Sequence, residues 1–116
     1  MYQVEDVRRS AREAVNEKGT NYVYPEYTGA CEYVKESAPS CLVGHILFKL
    51  GFPLDILSHM DDRPDATISS GYHPEVREAF TDDAIRFMAT LQSNQDEGRT
   101  WGTALERAEE LATNEL

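Results

Sequence analysis

Basic residues are scarce in this 116-residue chain: eleven Lys and Arg face twenty-one Asp and Glu, for a net charge of −10. A surface of that sign repels phosphates, so direct binding of DNA or RNA is not expected. Long apolar runs are missing too. The longest, Cys41 to Phe48, is broken by Gly44 and His45 and falls far short of the roughly 20 residues a membrane span needs. The N-terminal Met1-Tyr-Gln-Val-Glu-Asp has neither a basic nor an apolar region of the secretory kind, so a cytoplasmic location is expected. Only two cysteines occur, too few for a disulfide scaffold. No phosphate loop, catalytic signature or nucleic-acid motif is present, and an enzyme is not expected.

What the chain does have is enough apolar material, 41% of its residues, to build one core in a single domain spanning 1–116. The most informative stretch is Pro39-Ser-Cys-Leu-Val-Gly-His-Ile-Leu-Phe-Lys-Leu-Gly-Phe-Pro53. Ser40 suits an N-cap and Gly51 a stop for a buried central helix over 41–50. Leu42, Ile46 and Leu50 form one row, Val43 and Leu47 the next, and Phe48 widens the apolar arc. Gly44, mid-helix, forgoes about 1 kcal/mol of helix propensity relative to alanine. A close crossing by another backbone is the expected reason.

Around this helix the periodicity predicts a mainly α (α+β) fold: about five short helices with a small β element. Val4, Val7, Ala11, Ala14 and Val15 predict an amphipathic helix over 4–18, ended by Gly19. Tyr22 and Tyr24 alternate, turn residues follow, and Cys31 and Tyr33 alternate again. This predicts a β-hairpin at about 21–34, or two extended arms. Pro53 opens a short helix over 54–60, and Asp61 to Ser70 is the most loop-like segment. Pro74 opens a helix through Phe80. Thr81 caps the next helix, stopped by Gly98, and Thr100 caps the last. Trp101, Ala104, Leu105, Ala108, Leu111 and Ala112 mark the inner face of that last helix.

Four residues have the chemistry of a metal site. Cys41 and His45 lie one helical turn apart, Cys31 could come from the hairpin, and His59 from the helix after it. Two thiolates and two imidazoles in a tetrahedral set suit zinc. The spacing C-x9-C-x3-H-x13-H, however, has no C-x2-C knuckle. The competing reading makes both cysteines small buried hydrophobes and His45 a hydrogen-bonded helix residue. A Cys31–Cys41 disulfide would close a small loop, but a reducing cytoplasm favours free thiols. Cys41 as a nucleophile with His45 as base lacks an orienting carboxylate or an oxyanion donor.

Tyr22, Tyr24, Tyr27 and Tyr33 form the one aromatic concentration. They either cover the central helix or line a groove with their hydroxyls outward. Residues 61–116 hold thirteen acids against five bases. That asymmetry directs attention to Asp82, Asp83, Glu109 and Glu110 as contacts for a basic surface.

The patterns Tyr22-Val-Tyr, Cys31-x-Tyr-Val, Pro39-Ser-Cys-Leu-Val-Gly-His-Ile-Leu-x-x-Leu-Gly and Gln92-x-x-Gln-Asp-x-Gly-x-x-Trp-Gly-x-Ala-Leu resemble a group of small proteins of actinobacteria and their bacteriophages. The resemblance covers about 20–57 and 84–108. It implies a helical accessory protein working inside a host cell and brings no cofactor or catalytic residue with it. The functional expectation is a small acidic, non-enzymatic protein that binds a host protein with a basic surface, with a homodimer left open. The alternative is a metal- or ligand-binding module centred on Cys31, Cys41, His45 and His59.

Overall fold

In the computed structural model the first helix, α1 (Val4–Lys18), sets the frame. Gln3 and Asp6 close a capping box, with the Gln3 amide donating to Asp6 Oδ2 at 2.9 Å. Gly19 takes φ +97° at the other end, a conformation open to glycine at little cost. Val7, Ala11, Ala14 and Val15 are buried, as their spacing predicts. The structure describes residues 1–25, 32–61 and 74–115.

The remaining elements, in chain order, are β1 (Val34–Lys35), β2 (Ala38–Pro39), α2 (Leu42–Lys49), α3 (Leu54–Asp61), α4 (Pro74–Arg77), α5 (Asp82–Asp96) and α6 (Trp101–Glu115). The fold is mainly α with one small antiparallel strand pair. Helix α2 packs on α1 and α5, while α5 and α6, joined by residues 97–100, form a helical hairpin that α1 crosses. One core runs through all of them, from Val7 and Leu42 to Phe80, Leu91 and Trp101. No helix among the described residues is long and apolar enough to cross a membrane.

The strand pair lies downstream of the expected 21–34. Val34 pairs with Pro39 and Lys35 with Ala38, around a turn in which Glu36 and Ser37 have φ of 53° and 63°. Two left-handed residues make the tight reversal that antiparallel strands favour. Neither is Gly or Asn, so the turn carries no sequence signal. Residues 20–25 instead turn out of α1 and run on as an irregular arm that is in no strand. Its backbone carbonyls at Thr20 and Tyr22 accept from the Gly102 and Trp101 amides at 3.0 and 2.8 Å. Residues 26–31, with Tyr27 and Cys31, lie outside the described residues, as do 62–73.

Three further details differ from expectation. Cys41, not Ser40, is the N-cap of α2: its Sγ accepts from the Gly44 amide and its carbonyl takes the first helical bond, from the His45 amide at 3.0 Å. Phe48 is 45% exposed and Leu111 47%. In both cases the apolar stripe is narrower than the sequence pattern suggested. The segment 74–80 is a single helical turn followed by a bend into Phe80, which joins Tyr2 in a parallel bridge.

The expected close crossing at Gly44 is present. A Cβ placed there would lie 2.3 Å from the Tyr33 carbonyl oxygen and 3.1 Å from the Tyr33 carbonyl carbon and Cα. The β1 entry thus rests directly on the α2 backbone. Gly102 does the same for the 20–25 arm, where a Cβ would meet the Thr20 carbonyl oxygen at 2.7 Å.

Candidate functional site

The start of α2 holds two of the four candidate residues, Cys41 and His45. Cys41 Sγ accepts from the Gly44 amide at 3.4 Å, and the Leu42 amide donates to Gln95 Oε1 at 2.8 Å. These satisfy amides that a helix start leaves unpaired. Gln95 is fully buried. Its Oε1 also accepts from Trp101 Nε1 at 3.1 Å, and its Nε2 donates to Asp96 Oδ1 at 3.1 Å. A single amide side chain therefore joins the N-termini of α2 and α6 to the end of α5.

His45 sits one turn along, its Nδ1 2.9 Å from the Cys41 carbonyl oxygen. Its ring meets Trp101 edge-on at 5.3 Å, and Tyr22 meets Trp101 at 4.7 Å on a similar edge. Burial holds the His45 pKa below the ordinary histidine value, and the nearby Lys18 and Lys49 add to this; the Cys41 carbonyl and Glu17 oppose it. Cys41 is disulfide-bonded, which corrects the expectation of reduced thiols. His59 is exposed on α3. Among the described residues no three His, Cys, Asp or Glu side chains lie together as metal ligands. Cys31 lies outside the described residues.

The described tyrosines of the cluster, Tyr22, Tyr24 and Tyr33, belong to the packing. Tyr33 is 2% exposed, its hydroxyl oxygen accepting from Gln92 Nε2 at 3.0 Å. Burial pushes its pKa up to about 12; the bond from Gln92 works against that rise, and Asp61 and Asp96 reinforce it. Tyr24 is buried with its hydroxyl 2.8 Å from Ser40 Oγ, and Tyr22 is half-buried against Trp101 with Lys18 Nζ 5.2 Å from its ring centre. Of the two readings left open by the sequence, the structure has Tyr24 and Tyr33 cover the central helix.

The carboxylates divide into two kinds. Asp61, at the end of α3, accepts from the Tyr33 and Val34 amides at 2.8 and 3.0 Å and so clamps the hairpin. Glu109 ties α6 to α1 through Arg12 at 2.8 Å and Arg8 at 3.7 Å. Both are structural. No sequence signal marked Asp61, which reads as the first residue of a loop. Glu75, Glu78, Asp82 and Asp83 are exposed. Asp82 pairs with Arg77 at 3.0 Å across the α4–α5 bend, and Asp83 pairs with Arg86. Val76 and Phe80, both buried, pin this acidic ridge to the core. Asp83 and Glu110 also line a groove of about 920 Å³ between α5 and α6.

No family model, no curated protein and no solved structure matches the chain.

Proposed function

We propose that this chain is a small acidic, non-enzymatic accessory protein that acts by binding another protein through a basic surface on that partner. The observation that carries the reading is the ridge from α4 into α5. Four exposed carboxylates, Glu75, Glu78, Asp82 and Asp83, fall within nine residues on a support fixed by Val76, Phe80 and the Thr81 cap. Such a ridge steers a cationic surface during encounter and sets register once docked. Two of the four residues with catalytic or metal-binding potential support this reading: Cys41 is buried at the start of α2, and His45 is half-buried against Trp101. The resemblance of the Pro39–Gly51 pattern to actinobacterial and phage proteins supports a host-cell setting for the partner.

The test is affinity capture from actinobacterial lysate with wild type and with the Glu75→Gln/Glu78→Gln/Asp82→Asn variant, at low and high salt. Docking of this kind gives a discrete partner that is lost both from the variant and at high ionic strength, where screening acts within a few ångströms. A partner held equally by the neutralised variant, or none at either salt, would remove the ridge from the mechanism.

A further inference from the structure

We infer that the α5–α6 groove is where two copies of this chain meet about a two-fold axis. Three arginines (Arg86, Arg99, Arg107) and three carboxylates (Asp83, Glu97, Glu110) line it. Their charges cancel. The chain's other eight cations and eighteen acids therefore carry the whole of its −10. Two copies of so acidic a protein repel each other over most of their surface, and this neutral strip is where they touch with the smallest local repulsion. Its floor is apolar: Phe87 and Ala108 are buried, and Leu111 stands 47% exposed at the edge.

The charges inside the strip are also arranged for self-pairing. Asp83–Arg86 and Glu97–Arg99 are internal ion pairs. Arg107 and Glu110 are exposed on α6, and among the described residues neither has an ion-pair partner. They lie three positions apart on one face. If α6 crosses an antiparallel copy of itself midway between Arg107 and Glu110, Arg107 faces Glu110 of the second copy, and the two-fold axis repeats the pair in reverse. An isologous contact requires this reciprocity. Leu111, 47% exposed beside them on the same side of α6, offers the apolar contact for such a crossing. A foreign basic helix would meet Arg107 and Arg86 here, and a foreign acidic one the field of the whole chain.

Sedimentation of the purified protein from micromolar to near-millimolar concentration tests this. Wild type is expected to dimerise reversibly. Arg107→Glu and Glu110→Arg each set like charges against each other in the homodimer and are expected to weaken it about tenfold or more. Mixing the two single variants restores both pairs, so a heterodimer is expected, as is recovery in the Arg107→Glu/Glu110→Arg double variant. Both sites are exposed, so circular dichroism is expected to show unchanged folding. A wild type that stays monomeric throughout overturns the inference. So do single variants that dimerise like wild type, and a mixture that fails to associate. None of these substitutions touches the carboxylates changed in the capture experiment, so the two readings stand or fall separately.

Discussion

Replacing Gly44 with alanine sets two opposing effects against each other on one methyl group. Alanine is the better helix former by about 1 kcal/mol, and in open space it would stabilise α2. The space is not open. The new Cβ would lie 2.3 Å from the Tyr33 carbonyl oxygen, so the two backbones must separate by about 1 Å to reach ordinary contact. That carbonyl is held by the Ser40 amide at 2.9 Å, and the Tyr33 and Val34 amides are clamped by Asp61. The hairpin cannot retreat without lengthening three hydrogen bonds. Overpacking of this kind costs about 1–3 kcal/mol, and disturbing the clamped bonds adds to it. A net loss of about 1–3 kcal/mol is therefore expected. For a domain of this size that lowers the melting temperature by roughly 3–15 °C. Thermal melts followed by circular dichroism, with urea titrations to confirm an unchanged m-value, measure it. An alanine variant melting at or above the wild-type temperature would show that the hairpin yields freely, and the account of α2 as a rigid central element would fail.

Gln95→Leu keeps the volume but strands the Leu42 amide and Trp101 Nε1 without their acceptor. Two buried donors at about 1–3 kcal/mol each should make this among the most damaging single changes, visible as a large drop in urea midpoint. The His45 pKa is lowered in the fold, so between the ordinary value near 6.5 and the folded value the unfolded chain binds more protons. The contribution of neutral His45 is thus full above about pH 6.5 and is lost as pH falls through the folded pKa; melting temperatures from pH 8 to 5 should fall less steeply in His45→Gln than in wild type. Glu36→Asn with Ser37→Gly fits the left-handed turn and should stabilise the protein by about 1 kcal/mol or more, read from the same urea titrations.

Much of the helical framework was legible in the sequence because its signals are local. Val4 to Lys18, the Thr81 and Thr100 caps and the glycine stops at 19, 51 and 98 each depend on a few neighbouring residues. Gly44 was legible for a subtler reason: a glycine among strong helix formers marks a packing demand. Gly102 carries the same demand, but at a helix start, where glycine is unremarkable. The hairpin was misplaced because its turn uses Glu36 and Ser37, which carry no left-handed signal, while the strand entry is held by Asp61 on the Tyr33 and Val34 amides and by the Tyr33 contact with α2. Those contacts are long-range and leave no local trace. The candidate site shows the same division. Cys41 and His45 were legible as neighbours on one turn, whereas the role of Gln95 depends on where α5 ends relative to two other helices. Exposure of Leu111 depends likewise on how far α6 runs beyond the elements that cover it.

The shared acceptor at Gln95 bears on how the molecule opens as well as on how it is held. Because one oxygen serves both the first amide of α2 and the indole of Trp101, the beginnings of two helices far apart in sequence cannot loosen one at a time without leaving a donor stranded in the interior. Their fluctuations are therefore merged into one cooperative unit, so the amides of α2 and the start of α6 should exchange with deuterium at a common free energy. The lone tryptophan then reports on that whole unit and not on its own helix.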